Sequence, residues 1–278
     1  MPNGTIIEGD IFEVIPKLMP DLKGNIDLVL TSPPYNQGKE YDLDLSEDKY
    51  IEWTKEWMSL IPPLLKPTGV FVLNIGEKVT NIERSTRLPE IWLYAVKNLG
   101  LHYIEMYIWN KSKHLPVKSR FRASSVYEPC LWFSKSLDFS FHADEVRRPY
   151  KAISKRRMDY KIKRRWARER DTQYPEYKEW SPNPKGALPK NILDIGSESS
   201  NRGHPAVYPT GLAEWFIKAA TVEGDMVLDP FLGSGTTMVS ALQLGRSCIG
   251  IELEQVFTSM SKARVLSEVN VNVPIIQL

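Results

Sequence analysis

The sequence is poor in thiol and imidazole, with two cysteines and four histidines in 278 residues. Cys130 and Cys248 stand in separate apolar runs with no second cysteine near either. A disulfide framework is therefore not expected; reduced, buried thiols and a cytoplasmic location are. The same scarcity leaves no metal-ligand spacing, and no metal is expected. No apolar run approaches the roughly 18 residues of a membrane span. The start, MPNGTIIEGD, has neither the basic region nor the cleavage site of a signal peptide.

Net charge is also small, +2, but it is unevenly placed. From Arg147 to Arg170, twelve Lys or Arg face two acids, Asp159 and Glu169, so this segment carries +10 and the rest of the chain −8. A basic stretch on an acidic body suits a polyanionic partner. The plainer reading is a solvated charged helix, since KIKRRWARER has few residues to bury.

Outside that stretch the chain alternates between two periodicities. Strands are expected over 4–8, 26–31, 69–75, 102–109, 126–133, 225–229 and 247–252. Helices are expected over 11–18, 47–65, 88–99, 210–220, 236–244 and 256–268. Trp53, Trp57, Trp92 and Trp215 fall among apolar neighbours at helical spacing and are assigned to the core. Alternation of this kind implies an α/β fold with a doubly wound, mostly parallel sheet and helices on both faces. The pattern dissolves between 138 and 195, so residues 1–137 and 196–278 are expected as two halves of one domain around a small basic region.

Two stretches carry chemistry. MVLDPFLGSGTTMVSALQLGRSCIGIELE reads strand, glycine loop, helix, strand. Gly233 and Gly235 permit close backbone approach at a helix start. Glu252 ends the next strand, 23 residues after Asp229, where a carboxylate can accept from both ribose hydroxyls of a nucleoside. Met238 replaces the third glycine of a dinucleotide fingerprint, and no phosphate-loop lysine is present. An acidic cleft without a phosphate-binding cation suits a cofactor carrying an ammonium and a sulfonium, S-adenosyl-L-methionine. The strand after Glu252 is missing from this half. The N-terminal GTIIEGD can supply it, which places Asp10 near the adenine and makes the fold circularly permuted.

The second stretch is TSPPYNQG, Thr31–Gly38. Two prolines fix their own φ and extend the residues before them, giving a rigid spur at a strand's end.

Together these motifs resemble the amino-methylating DNA methyltransferases of the permuted beta arrangement. Asp229-Pro-Phe-Leu-Gly-Ser-Gly-Thr-Thr237 is similar to that family's cofactor loop, Cys248–Glu252 to its ribose-binding strand, Glu8-Gly9-Asp10 to its adenine segment and Thr31–Tyr35 to its catalytic loop. Gly203–Pro209 resembles the stretch beside the methionine end of the cofactor. Trp109-Asn-Lys111, Pro116, Arg120 and Tyr127-Glu128 also fall where the family has such residues. The resemblance implies cofactor contacts from Asp10, Thr31, His204, Pro205 and Asp229. It implies further ones from Pro230, Phe231, Gly233, Ser234, Gly235, Thr236 and Glu252. It makes residues 138–195 the target-recognition region.

Ser32, Pro33, Pro34 and Tyr35 are then the catalytic loop. The lone pair of an exocyclic amine is delocalised into the base, so acceptors must draw its N–H bonds toward tetrahedral geometry. The Ser32 hydroxyl and the Pro33 carbonyl are the expected acceptors, with Tyr35 stacked on a flipped base. Ser at the first place of this loop points to cytosine N4, with adenine N6 as the alternative. Carbon methylation would need a thiolate, and Cys130 sits in an apolar strand. Double-stranded DNA is the expected partner, contacted by Arg120, Arg147, Arg148, Lys155, Arg156, Arg157, Lys163, Arg164 and Arg165. A separately encoded restriction endonuclease is a further expected partner. Methylation of RNA or of a protein amide, or DNA binding without catalysis, are the competing readings. Glu176-Tyr-Lys178 lacks the paired acid of a nuclease.

Overall fold

The computed structural model describes residues 2–38, 43–79, 82–111, 120–121, 123–152, 182–196 and 208–278. They divide into two compact units, one of residues 1–141 and 191–278 and one of 142–190.

The larger unit is built on a nine-stranded sheet. Its strands in chain order are β1 (Gly4–Glu8), β2 (Ile26–Thr31), β3 (Leu65–Asn74), β4 (His102–Asn110), β5 (Tyr127–Ser134), β6 (Ile192–Asp194), β7 (Met226–Asp229), β8 (Ser247–Glu252) and β9 (Ile275–Gln277). They lie in the order β6-β4-β5-β3-β2-β7-β8-β1-β9. Only β5 runs antiparallel to its neighbours. β1 pairs in parallel with β8, Glu8 opposite Glu252, so the N-terminal strand completes the half that begins with β7. This is the permuted Rossmann-like arrangement expected from the sequence.

Six helices are described: α1 (Ile11–Leu22), α2 (Glu47–Met58), α3 (Arg87–Lys97), α4 (Thr210–Ala220), α5 (Thr236–Gln243) and α6 (Gln255–Val269). The strands alternate as a two-sided sheet requires. Val29, Phe71, Leu73, Leu131 and Phe133 pack with α1, α2 and α3 in one core. On the other face Trp132 and Tyr107 meet Phe216 of α4 at ring separations of 6.0 and 5.5 Å.

Several boundaries differ from the sequence reading. α1 continues through Pro16 and Pro20 to Leu22. Both prolines lie on its exposed face, where water can replace the two missing donors. α2 stops at Met58 rather than 65: tight turns carry residues 59–64 across the Pro62-Pro63 pair, and β3 starts at Leu65. β6 and β9, three residues each, carry too short a pattern to be read from periodicity. No helix among the described residues is long and apolar enough to cross a membrane.

Among the described residues of the smaller unit, a bridge pairs Arg148 with Ala187. Arg147 donates to Asp144 at 2.6 Å and to the Gly186 carbonyl at 2.9 Å, and Arg148 Nε to the Leu188 carbonyl at 3.0 Å.

Candidate active site

The C-terminal ends of β1, β8, β7, β2 and β3 bring Asp10, Glu252, Asp229, the Thr31–Tyr35 loop and Asn74 to one edge of the sheet. The succession of strands reverses between β7 and β2, which is where an open α/β sheet accepts its ligand.

Asp229 lies beneath this edge, 1% exposed. Its Oδ1 accepts from Thr31 Oγ1 at 2.7 Å and from the Phe231 N–H at 3.1 Å, and its Oδ2 accepts from Thr237 Oγ1. Thr237 in turn shares a hydrogen bond with Tyr208. Burial pushes the Asp229 carboxyl up to about 6 despite these three donors. Thr31 is fully buried, with its hydroxyl donated to Asp229.

The glycine loop follows. Gly233 and Gly235 hold φ of 53° and 80°, and a Cβ on Gly235 would meet Ser261 at 3.1 Å. α6 braces the loop from behind. Ser261 donates to the Gly233 carbonyl at 2.6 Å, and Arg264 donates to Thr236 Oγ1 at 2.8 Å and to the Ser234 carbonyl at 3.2 Å. The Ser234 and Thr236 side chains are thus buried toward α6, and their contribution to a ligand is through backbone. Pro230 is buried, and the Phe231 ring packs on Trp53 and Trp57 at 5.6 and 5.0 Å.

Glu252 is 9% exposed and accepts from the Gly233 N–H at 2.8 Å and the Glu254 N–H at 3.0 Å. Each oxygen keeps a second lone pair for hydroxyl donors. Burial raises its carboxyl, the backbone donors lower it, and Asp229 adds to the rise. Asp10 stands next to it, since the Gly9 N–H donates to the Glu252 carbonyl; its side chain caps α1 through the Phe12 N–H at 2.8 Å.

The Ser32–Tyr35 loop is clamped from two sides. Tyr50 donates to the Pro34 carbonyl at 2.8 Å. Arg87, wholly buried, donates to the Tyr35 carbonyl at 2.6 Å and to the Gly76 carbonyl at 3.2 Å. Its other nitrogens grip both oxygens of Glu47 at 2.7 Å. Asn36, at φ 53°, closes the turn onto Leu45 through both ends of its amide. The Tyr35 ring lies over Gly76, where a Cβ would come within 2.6 Å of it. The Tyr35 hydroxyl joins Ser32 Oγ at 2.8 Å. Beside it, burial first and Glu128 second push the Cys130 thiol well up, so it is held as a neutral thiol.

This chemistry is matched elsewhere. Residues 26–263 fit the family described as DNA methylase. The chain belongs to the DNA methylase family. It is 31% identical over 274 residues to the type II methyltransferase M.ScaI of Streptomyces caespitosus, covering 95% of this chain and 81% of that one. It is 28% identical over 274 residues to the DNA adenine methyltransferase YhdJ of Escherichia coli strain K12, covering 94% and 82%. Among solved structures, PvuII DNA methyltransferase (cytosine-N4-specific) superposes with a TM-score of 0.71 at 22% identity over 97% of this chain and 92% of that one. The M1.HpyAVI–SAM complex superposes with a TM-score of 0.62 at 23% identity over 94% and 98%.

In this DNA methylase, the sequence reading did not single out the clamp of Arg87, Glu47, Tyr50 and Asn36 or the brace of Arg264 and Ser261. Only an arginine at the mouth of an apolar helix hinted at the first. His204 and Pro205 lie outside the described residues, as do Lys155, Arg156, Arg157, Lys163, Arg164 and Arg165. Arg120 is exposed. Arg147 and Arg148 are spent partly on joining the two ends of the small unit.

Two outcomes are expected. Removing Arg87 strands Glu47 and two loop carbonyls, so Arg87→Met lowers unfolding stability by about 3 kcal/mol in urea titrations. The Asp229 carboxyl binds its proton more tightly folded than at its ordinary value of 3.8, so its contribution to stability is complete below that value and is lost as pH rises through about 6. The stability of Asp229→Asn relative to the parent rises by about 3 kcal/mol from about pH 4 to about pH 7. A flat difference across that range excludes the buried, raised carboxyl.

Proposed function

We propose that this DNA methyltransferase moves a methyl group from S-adenosyl-L-methionine to the exocyclic N4 of cytosine in a base turned out of duplex DNA. The observation that carries the reading is Ser32 Oγ, a neutral hydroxyl at the end of β2. It directly follows Thr31, whose hydroxyl donates to the Asp229 carboxylate, and is held in place by Tyr35.

The residues fit the cofactor. Two nearly buried carboxylates with raised proton affinity favour a cationic nucleoside over a phosphorylated one. Glu252 would hold the ribose hydroxyls, Asp10 the adenine and the Gly233–Gly235 backbone the adjoining chain, with Asp229 supplying charge from below. The M1.HpyAVI–SAM complex, of the same fold, supports this assignment. When bound, the cofactor supplies a methyl group made electrophilic by its sulfonium.

Ser32 Oγ and the Pro33 carbonyl accept the two amine N–H bonds and turn the nitrogen lone pair toward the methyl. Pro34 and Tyr35 spend their own carbonyls on Tyr50 and Arg87, which holds the acceptor pair in position before the base arrives. Tyr35 supplies a ring fixed at its hydroxyl for the base to stack on. In-line alignment supplies the rest of the acceleration.

The small unit and its basic segment supply the DNA surface, with phosphates met by Lys155, Arg156, Arg157, Lys163, Arg164 and Arg165. Arg120, Arg147 and Arg148 are further proposed DNA contacts. Relatives named as type II methyltransferases support a restriction-modification setting and a separately encoded endonuclease as partner.

Adenine N6 is the second reading, favoured by the match to the adenine methyltransferase YhdJ. Digestion of methylated DNA to nucleosides and mass spectrometry separates the two. N4-methylcytosine is expected, and N6-methyladenine as the sole product overturns the assignment of the base.

Ser32→Ala slows methyl transfer by roughly 100-fold while cofactor affinity stays unchanged. Glu252→Ala loses the ribose acceptor, and calorimetry should record roughly tenfold weaker S-adenosyl-L-methionine binding. Replacing Lys163, Arg164 and Arg165 with alanine flattens the slope of log affinity for DNA against log salt by roughly 2–3. An unchanged slope makes that segment a solvated face.

A further inference from the structure

The residues assigned so far bind the amine but do not account for the proton it must lose. A chain of hydrogen bonds continues inward from Ser32. Tyr35 Oη, 2.8 Å from Ser32 Oγ, lies 3.0 Å from Asn74 Oδ1, 3.2 Å from Glu128 Oε2 and 3.4 Å from the Asn74 carbonyl. The phenol has one proton for three acceptors, and the carboxylate is the strongest of them. The Asn74 amide donates to the Pro129 carbonyl at 3.1 Å. The Tyr35 oxygen is therefore filled by the Ser32 hydroxyl, and the Ser32 lone pairs are left to the incoming amine. Burial first and Glu128 second push the Tyr35 phenol well above its ordinary value. It passes a proton without resting as a phenolate.

We propose that Glu128, on β5, takes the proton lost by the target amine, through Tyr35 and Ser32. The proposal rests on the amino-methylation reading above. The N–C bond forms as the methyl–sulfur bond breaks and its electron pair goes to sulfur, which leaves the nitrogen positive. The nitrogen gives a proton to Ser32 Oγ, Ser32 gives its own to Tyr35 Oη, and Tyr35 gives its own to Glu128 Oε2. One proton leaves the base and one arrives at the carboxylate. The titratable groups facing Glu128 are Tyr35 from the loop after β2, Lys111 at the end of β4 and Cys130 on its own strand. Lys111 is the charged one, paired with Glu128 Oε1 and set over the Trp109 ring at 5.0 Å. It fixes the carboxylate's orientation toward Tyr35. The Glu128 side chain keeps 16% exposure, a route for the proton to water.

Glu128→Gln tests this, because it keeps an oxygen beside Tyr35 and removes the base. Single-turnover methylation of duplex DNA with saturating S-adenosyl-L-methionine should be about 100-fold slower. Cofactor affinity by calorimetry and DNA affinity by fluorescence anisotropy should stay at the parent values. Tyr35→Phe, which cuts the chain and keeps the ring, should show the same loss and serves if the first variant does not fold. Parent-like single-turnover rates in both variants overturn the relay, as does a loss carried wholly by weaker cofactor or DNA binding. If the parent itself transfers no methyl group to DNA, the amino-methylation reading falls first and the relay falls with it.

Discussion

The buried carboxylate of Asp229 joins parts of the chain almost two hundred residues apart. One oxygen accepts from Thr31, the last residue of β2, and the other from Thr237, in the first turn of α5. The first bond fixes where the Ser32 loop leaves the sheet; the second fixes where the glycine loop enters its helix. Losing water from such a group is costly, and its high proton affinity records that cost. Under the proposed reading, this tie sets the distance between the methyl donor held by the glycine loop and the acceptor held by the Ser32 loop. Methyl transfer depends on that distance more than on any single contact.

Much of this architecture was legible in the sequence because it is written in residue types with few alternatives. Prolines after a buried strand, glycines before a helix and an acid ending the following strand each have a narrow geometric meaning. The permutation was legible for a different reason: the C-terminal half lacked a strand and GTIIEGD had one to give. The supports behind these motifs were not legible. Arg87 reads in sequence as a surface cation at a helix start. Only the folded chain brings Glu47, the Gly76 carbonyl and the Tyr35 carbonyl around its five donors. Thr31, expected as a cofactor contact, is buried and donates its hydroxyl to Asp229, a tie that no sequence pattern announced.

Arg147 and Arg148 show how far composition can carry a charge argument. Counting charges assigned both to a DNA surface, since counting does not see what each side chain touches. Both have carbonyl partners that close the base of the small unit, so part of the segment's positive charge is structural. The larger share of its lysines and arginines falls between these two anchor points in sequence.

The clamp on the Ser32–Tyr35 loop has a consequence for how the enzyme meets its target. Arg87, Tyr50 and Asn36 hold the loop from behind, and its two prolines leave little torsional freedom, so the acceptor pair proposed for the amine is fixed before any base arrives. Under the proposed base-flipping reading the nucleotide would make the whole journey, and the work of unstacking and unpairing would be done on the duplex. Turnover then becomes sensitive to the mechanics of the DNA itself. A target opposite a mismatch or beside a nick opens more cheaply and reaches the rigid site sooner than the same base in a sound helix.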